Sequence, residues 1–166
     1  MSDMRIDAAL DWSRQKVDFE PDGSLRDIYI QDATVEDWRV VVVRILDSGY
    51  RAELQLHGAA VPMPTEFEAV FGGEFDENDR YFMSFTVGDI ALDCHFFTLT
   101  EIEFSFAPND VTKTSLRHLL AFMIDLGEAT KKPVIMTPEN YPQSPIYRYD
   151  NSDHRLTWVS PQDRRH

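Results

Sequence analysis

The stretch YFMSFTVGDIALDCHFFTLTEIEFSF, residues 81–106, decides the fold. Tyr81, Met83, Phe85 and Val87 occupy alternate positions, and Gly88-Asp89 then supplies a tight turn, because glycine takes a positive φ at no steric cost. Ile90, Leu92, Cys94 and Phe96 share one face of the next segment, and after residues 98–100 so do Ile102, Phe104 and Phe106. Successive side chains of a strand point to opposite faces, so this alternation predicts three strands in an antiparallel meander with one apolar and one wet face. The wet face would carry Asp93, His95, Glu101 and Glu103, and Glu53 joins them from a strand read over residues 50–56.

Outward from the meander the pattern mixes strands with helices. Residues 4–15 predict a short helix with Ile6 and Leu10 toward the body. Pro21-Asp22-Gly23 is a turn by its own chemistry, and Val17 and Phe19 before it with Leu25, Ile28 and Ile30 after it predict a β-hairpin. Thr34 can cap a helix whose first turn holds Glu36 and Asp37, where the dipole favours acids. The β-branched run at residues 40–43 fits a strand as well, but Trp38, Val41, Val42, Ile45 and Leu46 fit helical spacing, so a helix is the expectation. Pro62, Pro64 and Thr65 lead into a short helix with Phe67, Val70 and Phe71 on one face. Pro108-Asn109-Asp110 opens a long helix with Leu116, Leu119, Leu120, Met123 and Ile124 in its stripe and Gly127 near its end. A short buried strand follows at residues 133–136, and residues 137–140 leave it as a loop. The expected class is α+β: a mostly antiparallel sheet with a central three-strand meander, covered on one face by two or three helices. A single domain over residues 1–166 is expected, with a core at about 17–140, an N-terminal helical extension at 1–16 and a C-terminal extension at 144–166.

Charge narrows the function classes. The chain of 166 residues holds 29 acidic and 16 basic residues, net −13, most of the excess before residue 81. Nucleic-acid affinity comes largely from Lys and Arg displacing counterions, so no nucleic-acid partner is expected. Docking on anionic lipid is disfavoured for the same reason, and no window approaches the ~20 apolar residues of a membrane span. Glu74, Asp76, Glu77 and Asp79 beside Gly72-Gly73 form the densest acidic cluster and fit a solvated loop. The first residues carry aspartates and no apolar stretch, so no secretory signal is expected and the cytoplasm is the expected location. One cysteine excludes an internal disulfide and a CxxC metal site.

The meander's wet face is the strongest candidate for function. Glu53, Asp93, His95, Glu101 and Glu103 there could serve a binding role, or could support acid–base chemistry or hold a metal, since His titrates near neutrality and ligates divalent ions. They also fit the plain polar side of a two-sided sheet. A second candidate is the compact loop with Thr137, Glu139 and Asn140, which also fits a proline-rich turn that sets the exit direction. Cys94 lies among Ile90, Leu92 and Phe96, which predicts a core thiol rather than a nucleophile. His57-Gly58 fits a turn, His118 the polar side of the long helix, and His154 and His166 the tail. GxSxG, Walker, Rossmann and kinase signatures are absent from the sequence, so no catalytic residue, metal or cofactor is assigned.

FEPDGSLRDIYI (residues 19–30), CHFF (94–97) followed by EIEF (101–104), and KPVIMTPEN (132–140) resemble a group of small bacterial proteins with no assigned activity. That resemblance implies an α+β domain in bacterial cytosol and carries no site residues over. Immunity proteins that neutralise basic toxins are similar in size, acidity and sheet-plus-helix layout, a likeness of fold alone. These readings point to a non-enzymatic, immunity- or adaptor-like module whose acidic face meets a basic protein partner. The alternative is a small enzyme or ligand- or metal-binding protein using His95 and the carboxylates around it. The apolar tail residues Ile146, Tyr147, Trp158 and Val159 need a cover, which a homodimer through the C-terminal extension would provide.

Overall fold

Alternation builds the sheet, and the computed structural model, which describes residues 3–71 and 80–164, shows how far it extends. The strands are β1 (Arg26–Gln31), β2 (Glu53–Leu56), β3 (Ala59–Ala60), β4 (Tyr81–Val87), β5 (Ile90–His95), β6 (Glu101–Phe106), β7 (Val134–Pro138), β8 (Tyr147–Asp150) and β9 (Arg155–Trp158). They form one sheet in the order β3-β2-β4-β5-β6-β1-β7-β8-β9, with every neighbouring pair antiparallel. The meander β4-β5-β6 lies inside it, as its alternation requires. β2 and β3 are joined by His57-Gly58, both at positive φ, so that pair is turn chemistry.

Helices α1 (Met4–Ala9), α2 (Trp12–Gln15), α3 (Val35–Asp47) and α4 (Lys113–Thr130) complete the fold. Residues 40–43 are helical. Trp38, Val41, Val42 and Ile45 are all buried at helical spacing, and Val43 is left 39% exposed. The helix is started by a capping box: Asp37 N–H donates to the Thr34 hydroxyl at 3.2 Å, and Thr34 N–H donates to the Asp37 carboxylate at 2.9 Å. α4 begins at Lys113 with Thr112 as its cap, and the expected Pro108-Asn109-Asp110 opening is instead a separate 3-10 turn before it. Its stripe of Leu116, Leu119, Leu120, Phe122 and Met123 is buried against one face of the sheet. Phe122 meets Phe85 and Phe104 with ring centroids 5.5 and 5.4 Å apart. Large side chains buried to this extent contribute about 1.5–3 kcal/mol each, so this layer dominates the stability. α3 packs on α4, and α1 packs on α4 and β9. Among the described residues no helix is long and apolar enough to cross a membrane.

Several expectations need correction. The helix over residues 4–15 is broken at the extended Leu10, and Asp11 begins a second helix. The hairpin around Pro21 does not form: Lys16–Phe19 is a 3-10 turn, and the neighbours of β1 are β6 and β7. The cause is Arg26. Its guanidinium is almost fully buried and donates to the carbonyls of Asp18 and Glu20 at 2.7 and 3.2 Å, which curls the segment around it. Gly127 does lie near the end of α4, as expected: the helix runs to Thr130, with Lys131 in the left-handed region after it. Residues 137 and 138 continue β7 rather than leaving it as a loop.

The segments expected as extensions are woven into the sheet and its cover. β8 and β9 continue the sheet beyond β7, and Ile146, Tyr147 and Tyr149 are fully buried within the chain. Much of the tail therefore finds apolar cover inside its own molecule, beside α1 and α4, while Trp158 and Val159 stay partly exposed. The expected acidic loop with Glu74, Asp76, Glu77 and Asp79 lies outside the described residues.

Candidate functional site

The register of the sheet assembles the face opposite α4 row by row, exposed along β5 but buried at Asp27, Tyr29, Ile135 and Thr137 of β1 and β7. Glu53, Ser84, Asp93, Ser105, Asp27 and Thr137 stand opposite one another in turn across β2, β4, β5, β6, β1 and β7. At ~4.8 Å per strand this row spans roughly 24 Å. A second row on the same face places Glu103 beside Tyr29, Ile135, Arg148 and Thr157, and a third pairs Glu101 with Gln31. Burial follows the same period. On β5, Ile90, Leu92 and Cys94 are buried while Ala91, Asp93 and His95 are exposed. Glu53, Asp93, His95, Glu101 and Glu103 thus share one face, as alternation predicts.

The loop candidates belong to that face too. Asn140, at positive φ, donates its backbone N–H to Asp27 Oδ2 at 2.8 Å. Glu139 Oε1 accepts the Leu25 N–H at 2.9 Å, which fixes the approach to β1. Thr137 stands opposite Asp27 but turns its hydroxyl to the Pro138 carbonyl, outside the network. The two candidate groups therefore meet at Asp27, which is 1% exposed.

Asp27 is the centre of a carboxyl pair that spacing arguments did not single out. It also accepts from Ser105 Oγ–H at 2.9 Å and from the Tyr29 hydroxyl at 3.0 Å. The same Tyr29 oxygen lies 3.3 Å from Glu103 Oε1. Burial, then the charges of Asp27, Glu101 and Glu139, push the Glu103 carboxyl up to about 7, against the pull of the Tyr29 hydrogen bond. Burial and both carboxyls also push the Tyr29 phenol well above its ordinary range. The signal for Asp27 and Tyr29 was available in the sequence: if Ile28 and Ile30 face inward, their neighbours face outward.

His95 has different company. Its ring lies 4.8 Å from Phe82 and stacks on Phe97 at 5.0 Å, and the Arg80 guanidinium lies over Phe97. Phe97 is 51% exposed, so this aromatic group stands at the surface beside the acids. A cleft of about 430 Å³ lined by Gln55, His57, Gly58, Arg80 and Phe82 adjoins it. Arg148 and Arg155 lie on the same face at the far end, on β8 and β9, together with Asp150, which accepts from Arg148 at 2.9 Å. Among the described residues no group of three or more His, Cys, Asp or Glu side chains is arranged to hold a metal ion. Cys94 is fully buried and its thiol is pushed up by that burial, which makes it core rather than nucleophile.

No protein-family model and no curated protein matches the chain. Its fold is similar to that of a chain in the 1.75 Å crystal structure of the toxic C-terminal tip of CdiA from Pseudomonas aeruginosa in complex with immune protein. The TM-score is 0.50 at 11% sequence identity, over 83% of this chain and 97% of that one. At that identity the likeness is one of fold.

Proposed function

We propose that this protein is a non-enzymatic binding module of the immunity or adaptor type, and that the face of its sheet opposite α4 docks a basic protein partner. The observation that carries the reading is the sheet face opposite the buried stripe of α4, on which Glu53, Asp93, Glu101 and Glu103 share a side with the surface ring of Phe97 stacked on His95. Acids gathered on one face attract and orient a cationic partner, while rings such as Phe97 and Phe82 supply the desolvated anchors that hold it. Likeness of fold to a chain from a complex of a toxic protein tip with its immune protein supports the reading without identifying a partner. A bacterial cytosolic setting belongs to the same reading. The alternative, a small enzyme working through His95, finds no described carboxylate paired with that ring, which is pressed on Phe82 and Phe97 instead.

The test is the native mass of the protein recovered gently from its host, followed by binding measurements on whatever polypeptide accompanies it. Glu53 and Asp93 are exposed, so E53K/D93K reverses charge without disturbing the core. We expect a polypeptide of net positive charge whose affinity at low salt falls about tenfold or more in the double variant. A partner bound equally well by both forms, or one of net negative charge, would sink the reading.

A further inference from the structure

The Asp27–Tyr29–Glu103 cluster contains more hydrogen-bond contacts than its hydroxyl protons can serve when both carboxyls are charged. Tyr29 has a single hydroxyl proton, yet its oxygen lies within hydrogen-bond distance of two carboxyl oxygens, at 3.0 and 3.3 Å. If that proton goes to Asp27, the Glu103 contact is a hydrogen bond only when Glu103 brings a proton of its own. Asp27 is the natural acceptor, since Ser105 O–H and the Asn140 backbone N–H already point at it. Three donors thus point at the Asp27 carboxyl group.

We propose that Glu103 keeps a proton, donated toward the Tyr29 oxygen, well above the pH at which an ordinary glutamate loses it, and releases it as pH rises through neutrality, so that the docking face carries a built-in, pH-dependent charge. The groups that face Glu103 are consistent in sign. β1 presents Asp27 and Tyr29, β6 presents Glu101, β5 presents Asp93 on the same face, and Glu139 approaches from beyond β7. Along its own row the first cation is Arg148, three strands away. The partly buried site raises the carboxyl to about 7, against about 4.3 for an ordinary glutamate. His95 lies on the same face of β5.

The consequence for binding rests on the docking reading above, but the proton itself does not. Carbon-13 NMR titration of the side-chain carboxyls in the full chain measures it directly, with the Glu103 signal assigned by its loss in Glu103→Gln. Should that variant not fold, through-bond correlation from the Glu103 backbone assigns the wild-type signal. We expect a midpoint near 7 for Glu103; a midpoint in the ordinary glutamate range of about 4.3 overturns the proposal. In a second arm, a deca-lysine peptide at low salt probes the charge of the face. Its affinity should rise between about pH 6 and 8, and Glu103→Gln should remove about threefold of that rise. An unchanged rise in the variant, with the NMR midpoint near 7, overturns the role of this proton in docking while leaving the docking face itself to stand on the E53K/D93K result.

Discussion

Glu103 shows how one residue couples the site to the fold. Its carboxyl is raised to about 7 in the folded chain and lies near 4.3 in an unfolded one, so the folded state binds the proton more tightly. The stability this contributes is fully present below about pH 4.3 and is lost as pH rises through 7. Urea denaturation of wild type and Glu103→Gln side by side should therefore show the wild-type midpoint falling relative to the variant between about pH 5 and 8. Two curves that stay parallel across that range would contradict the linkage. Gly127 makes the complementary point about what a residue's neighbourhood reveals. It stands near the helix end, but the reason for glycine is tertiary: a Cβ there would collide with the Tyr149 ring, because β8 passes close to α4. Asp27 is similar: alternation puts it on the open face, but Ser105 and Asn140, which close over it, are 78 and 113 residues away in sequence. Local patterns set which way these side chains point, and distant chain segments set how buried they are.

At the scale of elements, what could be read was local and periodic. The meander, the Thr34-capped helix and the stripe of α4 each declare themselves within one window, because period 2 or 3.6 needs no knowledge of partners. The segment before β1 did not, since Val17 and Phe19 alternate like a strand while Arg26 draws their backbone into a turn. The tail was legible as strands but not as part of this sheet, because its pairing with β7 is a tertiary fact. Its attachment is extensive. Asp18 accepts the Arg164 guanidinium at 2.6 and 2.9 Å and the Trp158 indole N–H at 3.1 Å, and Arg14 and Arg164 both lie over the Trp158 ring. Tyr147 hydrogen-bonds Gln15 of α2, and Tyr149 hydrogen-bonds Glu128 of α4. Losing the buried Ile146, Tyr147, Tyr149 and Leu156 removes about 1.5–3 kcal/mol apiece, together comparable with a whole domain's stability of about 5–15 kcal/mol. A chain ending at Ser144 should therefore lose cooperative thermal unfolding and the dispersed amide spectrum of the full chain. A truncated chain that melts in one sharp transition would show that residues up to 144 fold as a self-sufficient core.

For the molecule as a whole, the question is whether net charge or its placement governs association. A net charge of −13 attracts any basic polypeptide at long range, and this pull fades beyond a Debye length of about 10 Å at 0.1 M salt. A docking face adds something that bulk charge does not, because its acids must meet particular cations at contact distance. Two double variants separate the effects. E53K/D93K changes the sheet face, whereas E36K/D47K makes the same change in net charge on the exposed side of α3, behind the helix layer. If steering by total charge were the whole story, both would slow association equally, and both would become indistinguishable from wild type in high salt. If the open face is the contact surface, E36K/D47K should alter only the on-rate at low salt, by a fewfold. E53K/D93K should additionally raise the dissociation rate, and that part of its effect should persist at about 0.5 M salt, where the Debye length is under 5 Å and only contact pairs still interact. Stopped-flow association and dissociation of the captured partner at two salt concentrations measures all four rates. Equal dissociation rates for the two variants would move the contact surface away from the sheet.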